Sequence, residues 1–414
     1  MAIATTIERL TGLHWKGQGP AVLAGLGHGA IHWIAATFYL LLPFITEDFG
    51  LTYVEAGMLV AVLHVSSMAA NFGSGPVTDV TGRRILIQVL SLVVGAAAML
   101  AMGVVETVIW LAVLVALIGI SNNFWHPAAI SFLSVNYPRN RGYALSIHAL
   151  GANLGDAVAP LVGGALLVWA TWQQTALSGA VPATAIAIAI AVFFAGNGRG
   201  GAEAGAAGMD LGDYMTGLWR MVRDRTVLSL CLMAGFRTMT QNGLFVFLPL
   251  YLAHELDVGP FWVGLSLSIL QAGGIVAAPI AGAWSDRVGR RPVVLAGLTV
   301  TTVVLCGLTL VGDGVFFVCG VALLGFALFS VRPVVHSWLM DLTPAHLGGS
   351  ATSVMFGFQS TLSILAPVAG GLIADAWGLS AVFYMLAGTV LIANLLVFLL
   401  PKETPTLDSA AGLG

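Results

Sequence analysis

The sequence predicts an all-α integral membrane protein of twelve transmembrane helices, paired as two pseudo-twofold six-helix bundles. Three observations predict it. Of 414 residues, 58% are hydrophobic and only 8% are charged, against roughly 25% charged in a soluble domain. Apolar stretches near the ~20 residues that cross a bilayer as helix recur from end to end. Two charged turns, GPVTDVTGRR over 75–84 and GAWSDRVGRR over 282–291, repeat one pattern at an offset of 207 residues (Asp79 to Asp286).

Punctuation by Gly, Pro and charge places the spans near 21–46, 54–78, 85–104, 107–133, 143–169, 176–196, 226–253, 261–284, 292–311, 314–340, 349–374 and 379–400. Glu47 and Asp48 close the first, and Arg83 and Arg84 part the second from the third. Glu106 precedes the fourth, and Arg139 and Arg141 part it from the fifth. Asn197 to Arg225 is the one long polar stretch, so the chain divides into a six-helix bundle over 1–196, a linker over 197–225 and a second bundle over 226–414. In the second half, Glu255 and Asp257, then Arg287, Arg290 and Arg291, then Asp313 mark the turns.

With both termini cytoplasmic, the inner loops and tails hold 14 of the 16 basic residues and the outer loops hold none. That is the positive-inside pattern. The net charge of −3 suggests no nucleic-acid partner. Three cysteines inside apolar stretches suggest neither a disulfide nor a metal cluster, and no cleaved N-terminal signal is expected.

The repeat extends beyond the turns. Pro43 matches Pro249, Gly57 matches Gly264, His64 matches Gln271, His126-Pro127 matches Arg332-Pro333, and Pro138 matches Pro344. Pro160-x-x-Gly163-Gly164 matches Pro367-x-x-Gly370-Gly371. Every offset is 206 or 207. Parallel repeats of this kind build transporters with the substrate path between the halves.

The turn from Gly75 to Arg84 resembles the signature loop of the major facilitator superfamily, with Val80 in place of the usual Arg; the second copy keeps Arg287. The resemblance covers essentially the whole chain. Phe124 to Gly164 is similar to the fosmidomycin-resistance branch of drug exporters, and Gly155-x-x-x-Ala159-Pro160-x-x-Gly163-Gly164 resembles the proton-antiporter motif, with Ala159 and Ser146 where Gly is usual. The fourth-helix Arg of many such exporters is absent; Asn122, Asn123 and His126 stand there, and the basic group sits at Arg332. The resemblance implies a monomeric secondary transporter in a bacterial inner membrane, exporting a small organic anion or drug by alternating access and proton antiport. Import or facilitation of a carboxylate is the alternative, and a non-transporting sensor a more distant one. No Gly-x-x-x-x-Gly-Lys phosphate loop occurs, so a gradient must drive transport. Neither enzyme chemistry, a cofactor nor a metal is expected, because the histidines are scattered over separate helices.

An ionisable group inside a span costs ~2.5–3.5 kcal/mol on insertion scales and marks function by default. Such groups here are His28, His32, His64, His126, His148, Asp156, Arg237, Arg332 and His336. Helical spacing aligns His28, His32 and Tyr39 on one face, Arg237 with Gln241 and neighbouring Asn242 on another, and Arg332 with His336 on a third. Asn123 and His126 add a fourth. These ten residues are the expected substrate contacts, and the arginine forks suit an anion. The competing reading has Arg237 and Arg332 pair with Asp156, Asp341 or backbone carbonyls. Asp156, the one acid deep in an apolar segment, is the expected proton-coupling residue, with His126 or Arg332.

For the loops, the resemblance implies gating by Asp79, Gly82 and Arg83 in one copy and Asp286, Arg287, Gly289 and Arg290 in the other. Asp79 would cap helix eleven near Gly348 and Gly349, and Asp286 would cap helix five near Gly142. Gly151, Gly155, Ala159, Gly163 and Gly164 mark a close-packed face on the fifth helix. Gly163 and Gly371 are the expected sliding points.

Overall fold

The computed structural model describes residues 17–197, 219, 223–312, 314–343 and 348–401. Among the described residues twelve long helices carry the fold: α1 Gly19–Asp48, α2 Tyr53–Thr81, α3 Arg84–Met102, α4 Val108–Asn136, α5 Arg141–Leu166, α6 Trp172–Asn197, α7 Arg225–Leu250, α8 Pro260–Val288, α9 Arg290–Leu308, α10 Val315–Asp341, α11 Gly348–Trp377 and α12 Leu379–Val397. They match the expected spans to within a few residues, and no strand occurs among the described residues. Eleven of the helices are long and apolar enough to cross a membrane. The other is α7, whose middle is diluted by Arg237, Thr238, Thr240, Gln241 and Asn242; a wide π turn, Tyr251–Glu255, continues it. Apart from its ends and Trp219, the expected linker lies outside the described residues, as does the Asp79 side chain.

The repeated turns share a backbone requirement. Gly82 and Gly289 both stand at positive φ, +64° and +93°, where a side chain would be strained. The Asp-x-x-Gly-Arg spacing is therefore set by where each chain must reverse between helices. In the second copy Arg290 donates to Asp286, to the Ser285 hydroxyl at 2.7 Å and to Asp341 at 3.0 Å. In the first, Arg84 is buried and donates to the Ser131 hydroxyl at 2.7 Å, while Val80 is 86% exposed. Asp286 is thus engaged by its own turn.

The chain forms two compact units. The first comprises the described parts of Met1–Phe49, Val62–Ala207 and Gly259–Ser268. Its tightest seam lies between α1 and α5. A Cβ on Gly151 would overlap the backbone of Gly25, and one on Gly155 the backbone of Gly29. Small residues allow this approach, the usual basis of helix association in lipid. The same unit holds the crossing of α5 with the first turns of α8, where Gly164 lies against the Pro260 carbonyl and Gly264. Gly163 instead faces the Leu40 and Thr175 side chains, so the neighbouring Gly164 is the residue at that crossing.

The second unit comprises Gly50–Ala61 and the described parts of Gly208–Val258 and Ile269–Gly414. Here the first turns of α2 lie on α11: Gly57 meets the Pro367 carbonyl, and Gly371 meets Tyr53 and Val54. The Asp375 carboxylate accepts from the Tyr53 and Val54 amides at 2.8 and 3.0 Å. Those amides are free donors of a helix N-terminus, which favours a negative partner.

Candidate functional site

The α1–α5 seam positions the polar centre of the first unit. Gly25-x-x-His28-Gly29-x-x-His32 puts two imidazoles three residues beyond two glycines, so close backbone approach carries both rings onto α5. The His28 Nδ1 lies 2.8 Å from the His148 carbonyl, and the His32 Nδ1 lies 3.0 Å from each oxygen of Asp156. From α4, His126 brings its Nε2 to 3.1 Å from the His28 Nε2, while its Nδ1 lies 2.7 Å from its own helix's Asn122 carbonyl. Four imidazoles and one carboxylate, from three helices, therefore meet in one place.

Behind them sits a supporting layer that sequence reasoning left out of the site. The His148 ring stacks on His28 at 3.7 Å and 18°, and its Nε2 accepts from the buried Trp125 indole at 3.2 Å. Trp125 in turn packs against Gly27. The available signal was the glycine spacing, which marks a close-packing face on α1 and another on α5, the latter next to His148. His28 and His148 are buried, whereas the His32–Asp156 pair is a quarter exposed (26% and 24%).

The remaining expected residues divide. Tyr39 lies one step along α1, its hydroxyl 3.4 Å from the His64 Nε2. Asn123 turns to its own helix, donating to the Gly119 carbonyl at 3.4 Å. Asp156 takes His32 as a partner.

In the second unit, Arg237 is buried and sends Nε and Nη2 to the Leu328 carbonyl at 3.1 and 2.8 Å. That carbonyl lies in α10, next to the Phe329 carbonyl that Pro333 leaves without its helical donor. The expectation of Arg237 as a substrate anchor gives way to the competing one, a strut on a backbone carbonyl. Arg332 is exposed, and His336 lies 5.6 Å from the Phe356 ring. Asn242 donates to the Ser363 hydroxyl at 2.6 Å, and the buried Gln241 Oε1 has no hydrogen-bond partner among the described residues.

Known proteins share this architecture. The Major Facilitator Superfamily model matches residues 24–274 and 230–413. The chain belongs to the Major Facilitator Superfamily. It is thus an integral membrane transporter and not an enzyme. Among its superfamily relatives is multidrug resistance protein MdtG of Salmonella arizonae, 25% identical over 371 residues that span 86% of this chain and 89% of the relative. MdtG of Escherichia coli strain UMN026 is 24% identical over 399 residues, 93% and 94% of the two chains. Among solved structures, the nucleoside transporter NupG superposes with a TM-score of 0.79 at 10% identity, over 92% of this chain and 99% of that one. A bacterial homolog of the human lysosomal transporter Spinster, inward-facing and occupied, gives 0.76 at 16% identity, over 92% and 95%. At such identities the two structures speak for the fold alone.

Proposed function

We propose that this superfamily member exports small drug-like organic molecules, anions among them, across a bacterial inner membrane by alternating access, with protons as the coupling ion. The observation that carries the reading is the convergence of His28, His32, His126, His148 and Asp156 inside apolar helices. Polar groups so placed are costly and mark a transport path. The drug class follows the curated relatives, which are named multidrug resistance proteins, and the resemblance of Phe124–Gly164 to a drug-exporter branch. A gradient is the remaining drive in a chain without a phosphate-binding loop.

In this reading the bundles 1–196 and 226–414 rock about a central path, both termini face the cytoplasm, and one chain suffices. With Arg237 on a carbonyl, the exposed Arg332 is the guanidinium this reading assigns to an anion. The test uses everted membrane vesicles from a drug-sensitive bacterial strain expressing the chain, with a radiolabelled phosphonate (fosmidomycin) or ethidium supplied in the outside medium. Energised vesicles should accumulate at least one of them several-fold over vesicles without the chain, and a protonophore should abolish the difference. Accumulation that ignores the protonophore would remove proton coupling; none for either probe would remove drug export.

A further inference from the structure

We propose that His32 is the residue that takes up and releases the coupled proton, at its Nε2, and that Asp156 stays ionised and positions the ring. The role in coupling rests on the export reading, whereas the place of the proton follows from the α1–α5 seam. By sequence Asp156 is the expected proton carrier, as the one acid deep in an apolar segment.

Hydrogen-bond geometry moves the proton to the ring. The His32 Nδ1 lies 3.0 Å from Oδ1 and 3.0 Å from Oδ2 of Asp156. A ring N–H shared between two oxygens suits an ionised carboxylate, which accepts at both. A protonated carboxyl would give its one hydrogen through one oxygen and turn the other's lone pairs on the same bare nitrogen. Nδ1 therefore carries the hydrogen and Asp156 carries the charge. The bond made by one ring nitrogen sets the state of the other, so the basic lone pair is at Nε2. That atom meets no hydrogen-bond partner among the described residues. The pair is partly exposed, which lets a proton come and go.

Loading forms one N–H bond at Nε2, and release breaks it; Nδ1 keeps its hydrogen and Asp156 its charge throughout. Empty, the pair bears one net negative charge. Loaded, it is neutral overall, which suits apolar surroundings where charge is costly. The carboxylate of a Ser–His–Asp triad acts alike: it fixes the tautomer and stabilises the imidazolium without taking the proton. The seam holds the partner in place, because Gly155, beside Asp156, lies against the backbone of Gly29, three residues before His32.

The other titratable groups around the pair are all named by the packing of α1. His28, on the same helix, has its ring 4.7 Å from that of His32, and His126, on α4, lies at 6.0 Å. From α5, His148 also interacts with His32, and Tyr39 lies by Asp156. Helix α6 contains no ionisable residue, and α3 has only Arg84, which donates to Ser131. His28 and His148 are buried, with ring nitrogens on the His148 carbonyl and the Trp125 indole. His126 is the competing proton site, since its Nε2 lies 3.1 Å from that of His28.

The full-length chain, purified in detergent, isotope-labelled in its histidine rings and freed of any affinity tag, is followed by nitrogen NMR. The range runs from about pH 8 to about pH 5, where histidines change charge. One ring that becomes doubly protonated in the wild type should be missing from His32→Gln and present in His126→Gln. Infrared difference spectra over the same range should show no protonated-carboxyl band that Asp156→Asn removes. In energised vesicles, His32→Gln should lose the accumulation that a protonophore abolishes, while exchange of labelled for unlabelled probe without a gradient persists. The same set of charging rings in wild type and folded His32→Gln overturns the proposal. So does a ring that still charges in His32→Gln and is lost in His126→Gln. If His32→Gln does not fold, the infrared comparison decides, because a carboxyl band owed to Asp156 puts the proton there instead. The spectra need neither substrate nor transport, so their failure leaves the export reading intact, and a chain that exports neither probe can still show them.

Discussion

The α1–α5 seam and the α7–α11 seam occupy equivalent places in the duplicated sequence, yet they are built from opposite materials. In the first, Gly25, Gly29, Gly151 and Gly155 bring two backbones together and hold histidines and a carboxylate at the join. Moving 207 residues on, Gly151 becomes Phe358, Gly155 becomes Leu362, His148 becomes Met355 and Asp156 becomes Ser363; at the 206 offset of Pro43 and Pro249, His28 becomes Ala234 and Gly29 becomes Gly235. There Gly235 faces the Leu362 side chain and the Phe358 carbonyl. His126 becomes Arg332, at an offset of 206. One repeat thus kept a polar, titratable centre, while the other filled the same position with apolar bulk and moved its charge to arginines. Duplication preserved the backbone and let the chemistry of the halves diverge.

The largest test of that contrast is Gly151→Leu. Its side chain has no room against the Gly25 backbone, so the cost should reach the upper end of overpacking, ~3 kcal/mol or more. We expect no monodisperse protein by size-exclusion chromatography. Normal yield would mean that the seam is looser than its glycines imply. Next comes Asp156→Asn, which keeps the shape and a hydrogen-bond acceptor but removes the one carboxylate of the cluster. Transport in vesicles should fall at least about tenfold, a loss of ~1.4 kcal/mol or more in transition-state terms, while the melting temperature moves by only a few degrees. Equal losses of folding and transport would reduce Asp156 to a packing residue.

How much of this was legible follows from which interactions are local. Helix limits are written by Gly, Pro and charge, so all twelve helices could be placed from sequence, and the Gly82 and Gly289 turns announced themselves by repetition. The α1–α5 pairing was half legible: small residues on both helices named the faces but not the partner. Convergence of His126 was not, because α4 shows no spacing that distinguishes a ring aimed at His28 from one aimed at lipid. Arg237 was misjudged for a related reason. Whether a guanidinium faces a cavity or a carbonyl depends on the neighbouring helix, and the Pro333 that loosens α10 lies 96 residues away in sequence.

Arg237 therefore sharpens the contrast from the second half. Arg237→Met keeps much of the apolar stem but leaves the Leu328 carbonyl without its two guanidinium donors. Hydrogen bonds to a charged group are worth about 1.5–3 kcal/mol, so the melting temperature should drop. The substrate concentration for half-maximal transport should stay within about twofold, under ~0.4 kcal/mol of binding free energy. A large rise in that concentration with unchanged stability would return Arg237 to the substrate.

The smallest effect should come from a feature with no counterpart in the other repeat. Asp375 accepts from the first amides of α2; 207 residues earlier stands Val168, which has no charge to offer the start of α8. Asp375→Asn leaves a neutral acceptor in place, so only the charge–dipole part is lost, ~0.3–1 kcal/mol at an exposed helix end. Stability should barely change. Alkylation of a cysteine introduced by Val54→Cys should nevertheless quicken when Asp375→Asn is added, because the helix end is less firmly held on α11. The Gly57 and Gly371 contacts remain, which sets the limit on that increase. Identical labelling rates with and without Asp375→Asn would show that the glycines alone hold this crossing, as they must at its α5–α8 equivalent.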